Sequence, residues 1–167
     1  YESLRTGNRE WVSKESFINA LGKPAKRFSW NIDPEETLII LDEAHNCKTA
    51  GSLNQNLLLA AVRQGFPLIC CSGTMATDPT HMRATGRVVG LHKGGDDYAT
   101  FLDNHNCTTN NGKDYKFRGG RSGREALARI HRAVFPKRGA RVRIQELGEA
   151  FPETQIMAEA FETNETQ

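Results

Sequence analysis

The chain has 167 residues, a mass of 18.6 kDa and a formal net charge of +2, with 38% hydrophobic and 25% charged residues. This length and composition indicate one globular domain with a single core. They exclude two full catalytic domains, a disordered chain and a collagen-like one. The longest apolar run, Leu57–Val62, is far shorter than the roughly 20 residues that a bilayer span needs, so we expect no membrane segment.

The first apolar residues along the chain have helical spacing. Trp11, Phe17, Ile18 and Leu21 predict a short helix over 11–21, which ends at the Gly-Lys-Pro sequence of residues 22–24.

The central part of the chain has the pattern of a strand, a helix and a second strand. Two apolar runs, Thr37–Asp42 and Pro67–Ser72, are typical of strands buried on both faces of a parallel sheet. Between them, Ser52 and Gln55 form a candidate capping box, and Gly65 ends the predicted helix. A right-handed crossover would make the strands near neighbours, with their carboxyl ends at the sheet edge where ligands bind.

The distal part of the chain is predicted to contain a loop and then a helix. Polar, turn-rich residues 104–112 indicate a surface loop or insertion. Ser122 and Glu125 form a second candidate capping box, followed by apolar residues at helical spacing, and Pro136 and Gly139 bound this helix.

Charge is concentrated in one segment. Residues 113–143 include eleven basic and two acidic side chains, a net charge of +9, whereas the rest of the chain sums to −7. A concentration of this kind suits a polyanion, because each cation that neutralises a phosphate releases counterions. A solvated helix face is the simpler alternative.

Acidic and hydroxyl side chains follow the two predicted strands. Asp42 and Glu43 directly follow the first strand, where one carboxylate can hold Mg²⁺ through water and the next can take a proton from an attacking water. His45 comes two residues later, and Ser72, Gly73 and Thr74 follow the second strand. Small hydroxyl residues suit a loop that senses a bound phosphate, although Ser-Gly-Thr is also an ordinary turn.

Together these segments resemble superfamily 2 helicases, most closely the Swi/Snf-type branch of ATP-dependent nucleic-acid translocases. The resemblance is carried by Tyr1–Leu4, Leu38–His45, Cys71–Thr74, Ile130–Phe135, Arg141–Arg143 and Phe151–Thr154. It implies an α/β fold, the second part of a RecA-like lobe, in which helices flank a parallel sheet and the C-terminal extension is more helical. Residues 1–103 would belong to that lobe, 104–121 to the loop or insertion, 122–152 to the basic end of the lobe, and 153–167 to an acidic tail or linker.

The resemblance also implies roles, with ATP and Mg²⁺ as cofactors. Asp42 would coordinate Mg²⁺ through water and Glu43 would activate the hydrolytic water. The coupling residues would be His45, Ser72, Gly73 and Thr74, and the nucleic-acid contacts would be Tyr1, Glu2, Arg121, Arg124 and Arg138. The implied partners are nucleic acid, DNA in preference to RNA, and a second RecA-like lobe of the same parent chain.

Two departures from the family pattern limit this prediction. Residues 75–79 read Met-Ala-Thr-Asp-Pro where the branch more often has Pro-Leu-Gln-Asn, which bears on the subtype. The phosphate-binding loop GxxxxGK[ST] is absent, since Gly22-Lys23-Pro24 has neither its spacing nor its hydroxyl. We therefore expect the 167-residue chain alone to hydrolyse ATP negligibly even though its parent is an ATPase. The alternative is a lobe without a phosphate loop that serves as a non-catalytic nucleic-acid or protein-binding module.

Four cysteines, at positions 47, 70, 71 and 107, form neither a disulfide framework nor paired zinc spacing, which indicates a reducing intracellular compartment, the cytoplasm or nucleus. Cys70 and Cys71 lie in an apolar strand and are expected to be inert rather than nucleophilic. Because residue 1 is Tyr and no leader sequence follows it, we expect the chain to begin inside a longer polypeptide, of viral or cellular origin.

Overall fold

The structure, a computed structural model, describes residues 11–18, 22–74, 77–112, 114–143 and 146. In these residues helices and strands are mixed, and the strands form two-stranded sheets, one of them parallel. This agrees with the α/β class that the sequence predicts. None of the helices described is both long enough and apolar enough to cross a bilayer.

An antiparallel hairpin stands where the sequence predicts the first helix. Strands β1 (Val12–Ile18) and β2 (Pro24–Trp30) pair along their whole length, with Val12 opposite Trp30. The prediction of a helix over 11–21 is therefore wrong for residues 12–18. Gly22 and Lys23 of the predicted break lie between the two strands and Pro24 begins β2, so long-range pairing outweighs the local helical spacing.

The predicted strand–helix–strand unit is confirmed. Strand β3 (Ile39–Leu41) and strand β4 (Leu68–Cys70) pair in parallel, and helix α1 (Leu53–Gln64) connects them. The Ser52 side chain accepts a hydrogen bond from the Gln55 backbone N–H at 3.2 Å, as an N-cap should.

The ends of α1 follow local sequence signals. The Gln55 side chain accepts from the Gly51 backbone N–H rather than from that of Ser52, so only half of the predicted capping box forms. Gly65 ends the helix at φ 81°, in the left-handed region that glycine adopts without steric cost.

The sheet of β3 and β4 is buried on one face only. Leu41, Leu68 and Cys70 pack against the core, whereas Ile40 and Ile69 are 62% and 45% exposed. The prediction of strands buried on both faces is therefore wrong. In a strand successive side chains point to opposite faces, and the elements in the described part of the chain cover only one of them.

The distal part continues with short elements and one long helix. These are a 3₁₀ turn at Pro79–Met82, α2 (Thr85–Val88), α3 (Asp96–Asn104), β5 (Cys107–Thr108), β6 (Lys116–Phe117) and α4 (Gly120–Val134). Strands β5 and β6 pair antiparallel, so the predicted surface loop is confined to the turn between them.

Helix α4 begins three residues earlier than the predicted capping box implies. Gly119 occupies the N-cap position and Ser122 lies inside the first turn, so the predicted Ser122–Glu125 capping box is wrong. The first turns of the helix lie directly against the chain that leaves β6. A Cβ added at Gly123 would lie 2.6 Å from the Arg118 carbonyl oxygen, so only glycine fits at this position.

Two apolar clusters form the core. One surrounds Leu58 and Cys47 beneath the β3–β4 sheet, and the other is built by Met82, Phe101, Leu102, Cys107 and Ile130. The segment 79–88 joins them, because Met82 belongs to the second cluster and Ala84 to the first.

Candidate functional site

The carboxyl ends of β3 and β4 meet at one edge of the parallel sheet. Beyond the strands the two chain segments remain hydrogen-bonded: the Cys71 N–H donates to the Leu41 carbonyl at 2.8 Å, and the Ala44 N–H donates to the Cys71 carbonyl at 2.9 Å. These bonds place the segment 42–45 beside the segment 71–74. The edge where the sequence predicts chemistry therefore does bring both motifs together.

Both carboxylates at this edge reach solvent. Asp42 is exposed, and one of its carboxylate oxygens accepts a hydrogen bond from the Glu43 backbone N–H at 2.9 Å. The Glu43 side chain is 58% exposed. Neither acid is sealed beneath packed side chains, so both remain accessible to a ligand.

Glu43 has an unusual backbone conformation. Its φ and ψ are 50° and 47°, in the left-handed region that a non-glycine residue enters at a cost of roughly 1–2 kcal/mol. Such residues are concentrated at active sites and ligand contacts. The conformation turns the chain from β3 into a short 3₁₀ helix, Ala44–Cys47, and places the Glu43 carboxylate next to His45.

The His45 imidazole connects the two segments. Its Nδ1 lies 2.9 Å from a carboxylate oxygen of Glu43 and 3.3 Å from the hydroxyl of Ser72. The Ser72 hydroxyl in turn donates to the Thr74 carbonyl at 3.1 Å and accepts from the Thr74 N–H at 3.3 Å. A continuous polar network therefore runs from Glu43 through His45 and Ser72 to Thr74.

This network is not a nucleophile triad. In such a triad the base uses one ring nitrogen for the nucleophile and the other for the acid. Here Glu43 and Ser72 share Nδ1 of His45. One N–H cannot make two short, well-aligned bonds at once, so the two partners compete for it.

A cavity of about 330 Å³ opens beside the network. The residues that line it are Glu43, His45, Lys48, Gly73, Thr74, Thr77 and His81. Four of these seven are predicted site residues. Lys48, Thr77 and His81 were missed. Lys48 follows His45 by three residues, which on a 3₁₀ helix puts both on one side, whereas nothing in the local sequence of Thr77 or His81 points to the site.

The donor set fits a hydrated Mg²⁺ better than a caged metal. No group of three or more His, Cys, Asp or Glu side chains with metal-binding geometry occurs among the residues that the structure describes. Mg²⁺ keeps several waters and commonly uses one or two carboxylates together with substrate phosphates, and the exposed Asp42 can supply such a ligand.

The basic residues of the distal segment divide into two groups. The buried side of α4 carries Gly123, Ala126, Ile130 and Val134. At 100° per residue, Arg121, Arg124 and Arg132 fall on the opposite side, and all three are exposed. Arg121 Nε lies 3.3 Å from the Glu125 carboxylate, a contact that is open to solvent. This arginine stripe, Arg121, Arg124 and Arg132, is accessible to a polyanion.

Arg138, by contrast, is engaged by the fold. One guanidinium nitrogen donates to the Val89 and Gly90 carbonyls, both at 2.8 Å. It thereby satisfies carbonyl groups at the end of α2, so the structure gives this predicted nucleic-acid contact a structural role. Tyr1 and Glu2, the other predicted contacts, lie outside the described residues.

Cys70 and Cys107 have the properties of inert thiols, whereas Cys71 lies beyond the end of β4 and is exposed. All four cysteines are free, and burial raises the pKa of Cys70 and of Cys107 to about 11. At neutral pH these two thiols are protonated, whereas nucleophilic attack requires the thiolate.

Comparison of the chain with protein-family models, with curated proteins and with solved structures gives no match.

Proposed function

We propose that this chain is part of an ATP-dependent nucleic-acid helicase or double-stranded DNA translocase that couples hydrolysis of Mg-ATP to movement. The observation that supports this most is the position of the Asp-Glu-Ala-His segment at the end of β3, next to Ser72–Thr74 at the end of its parallel neighbour. Open α/β sheets bind ligands at this edge. The resemblance to superfamily 2 helicases assigns the same two segments to ATP hydrolysis and coupling.

In this proposal the two acids have different tasks. Asp42 would hold Mg²⁺ through water, and Glu43 would orient and deprotonate the attacking water. Bound Mg²⁺ would neutralise the charge that develops on the transferred phosphoryl group. The 167 residues contain no GxxxxGK[ST] loop, so we propose that residues of the parent polypeptide supply most phosphate contacts.

His45 is the proposed coupling element. Because Glu43 and Ser72 compete for its Nδ1, the imidazole has two alternative hydrogen-bonded arrangements. A phosphate near Glu43 would shift His45 toward Ser72 and the Gly73–Thr74 loop. In this way the state of the nucleotide would reach the second lobe and the nucleic acid.

The first experiment tests Glu43 in the parent polypeptide that carries the phosphate loop. Glu43→Gln should retain Mg-ATP binding and lower turnover by a factor on the order of 10² to 10⁴, the usual contribution of a positioned general base. Glu36→Gln, which also removes an exposed carboxylate shortly before β3, should leave turnover unchanged. Equal turnover in the Glu43 variant and the wild type would remove Glu43 from the mechanism.

The same experiment separates the proposal from its alternative. A non-catalytic nucleic-acid or protein-binding module would show no ATP turnover in the wild type or in the Glu43 variant, and its parent would carry no phosphate loop. The arginine stripe is tested separately: replacing Arg121, Arg124 and Arg132 with Gln should flatten the dependence of log K on log salt by about 0.9 per lost duplex phosphate contact. An unchanged slope would assign the stripe to another role.

A further inference from the structure

The hairpin of β1 and β2 has a divided inner face. Alternation along the strands places Lys14 and Ser16 of β1 and Lys26 and Phe28 of β2 on the same face as Trp30. Trp30 binds α1, because its indole N–H donates to the Leu57 carbonyl at 3.0 Å. Near Trp30 the inner face therefore packs on α1, whereas farther along the hairpin it presents two lysines.

A cleft remains between the lysines and the start of α1. It has a volume of about 660 Å³ and is lined by Lys14, Ser16, Pro24, Ala25, Lys26, Phe28, Gly51, Leu53 and Asn56. Its lining combines two cations with exposed apolar surface, including Leu53 at 40% exposure. We call it the hairpin cleft.

The positive charge of the hairpin cleft is not balanced. None of the lining residues is acidic, and neither lysine forms an ion pair within the described parts of the chain. The Lys14 ammonium lies 5.6 Å from the centre of the Phe28 ring, which holds it over an aromatic face rather than on a carboxylate.

The outer face of the same hairpin is different. There Glu15 lies directly opposite Arg27 in the strand register, so opposite charges face each other, and the Arg27 guanidinium lies over the Phe17 ring at 4.8 Å. Within the hairpin, the cations that have no opposite charge beside them are therefore on the inner face, where the cleft lies. Both lysines are exposed, so an anionic ligand in the cleft can reach two cations beside an apolar surface.

We propose that the hairpin cleft binds one strand of a nucleic acid, with Lys14 and Lys26 on backbone phosphates. The two lysines are diagonal neighbours in the register, about 7–8 Å apart at the backbone, so they can contact phosphates of one strand. Leu53 and Phe28 offer the apolar surface that a base or sugar covers, which an acidic peptide of carboxylates alone would not use.

This inference goes beyond the proposed function because it uses a different surface from the arginine stripe. The proposal of an ATP-dependent motor stands even if the hairpin cleft does not bind nucleic acid. Conversely, the cleft can bind nucleic acid in a chain that does not hydrolyse ATP. The two therefore fail independently.

The experiment measures binding of a fluorescent single-stranded oligonucleotide to the 167-residue chain over a salt series. The double variant Lys14→Gln with Lys26→Gln should lower the slope of log K against log salt by about 1.4, because each single-strand phosphate contact contributes about 0.7. A matched control, Arg27→Gln with Lys93→Gln, removes the same charge outside the cleft and should keep the wild-type slope.

A third variant tests the apolar part of the cleft. Leu53→Ala should weaken binding at every salt concentration without changing the slope, since it removes no phosphate contact. A wild-type slope in the lysine double variant, or an equal loss in the control, would overturn the proposal. The proposal would also be overturned if polyglutamate displaced the oligonucleotide equally well from the lysine double variant and from the wild type. Far-ultraviolet circular dichroism confirms that each variant is folded.

Discussion

The β3–β4 sheet and the region built by α3, β5, β6 and α4 are covered to different degrees. In the sheet, Ile40 and Ile69 are 62% and 45% exposed, and both strands have three residues. In the distal region Leu102 and Cys107 are 2% and 3% exposed, and helix α4 contributes the buried side chain of Ile130 to the second apolar cluster. The candidate chemistry lies on the less covered of the two.

This difference separates the origins of stability and of function. Close packing of apolar side chains is the main favourable contribution to folding, so the distal region should contribute more to the stability of the chain per residue. The sheet edge instead presents the Glu43 carboxylate, the His45 imidazole and the Thr74 hydroxyl to a cavity. Substitutions in the two regions should therefore have opposite profiles, with large stability losses in one and small losses in the other.

The largest predicted effect comes from deleting a buried side chain of the distal region. Leu102→Ala should lower the free energy of unfolding by about 2–5 kcal/mol, because it removes a fully buried side chain and leaves a cavity. The matched change in the sheet, Ile40→Ala, should cost less than about 1 kcal/mol. Urea denaturation measures both. Equal losses would mean that the outer face of the sheet is covered in solution, and the comparison would be wrong.

Two glycines give the next largest contrast. A Cβ at Gly123 would lie 2.6 Å from the Arg118 backbone oxygen, which cannot easily move, so Gly123→Ala should cost about 1–3 kcal/mol despite the better helix propensity of Ala. At Gly73 no atom lies within 4 Å of an added Cβ, so Gly73→Ala should leave stability nearly unchanged. Thermal unfolding of both variants tests this, and a stable Gly123 variant would contradict the packing described for α4.

The smallest predicted effect depends on pH. His92 is 4% exposed, its Nε2 lies 3.1 Å from the Met82 carbonyl, and its Nδ1 accepts from the Gly94 N–H. Burial lowers the pKa of His92 from its ordinary value of 6.5. The unfolded chain then binds a proton that the folded chain does not, so stability is retained above pH 6.5 and falls as the pH decreases below it.

The loss amounts to about 1.4 kcal/mol for each unit by which the pKa is lowered. His92→Gln removes the titrating group and should flatten the dependence of the urea midpoint on pH between 7.5 and 5, although it lowers stability at pH 7.5. A variant that keeps the wild-type dependence would show that another group titrates in this range.

Sequence reasoning was reliable where the signal is local. The Ser52 cap, the Gly65 stop and the apolar runs of β3 and β4 are set by residues within one element, and the structure contains each of them. The strand–helix–strand order predicts that β3 and β4 pair in parallel, and this pairing brings the segments of Glu43 and Ser72 together.

Sequence reasoning was wrong where contacts between residues distant in sequence determine the local structure. The spacing of Trp11, Phe17 and Ile18 fits a helix as well as a strand, and only pairing with β2 selects the strand. Charge counting identifies Arg138 as one basic residue among many, and it gives no information on the bonds that Arg138 makes to carbonyls 48 and 49 residues away. The hairpin cleft was missed for the same reason, because it requires the hairpin.

The left-handed conformation of Glu43 sets stability against activity at that position. Glycine would adopt the same φ and ψ at no steric cost, and asparagine at a lower cost than glutamate. Replacing Glu43 with either should therefore strengthen the fold while it removes the carboxylate. Selection of variants for thermal stability alone is therefore expected to replace Glu43, the proposed general base. Selection for activity would keep it.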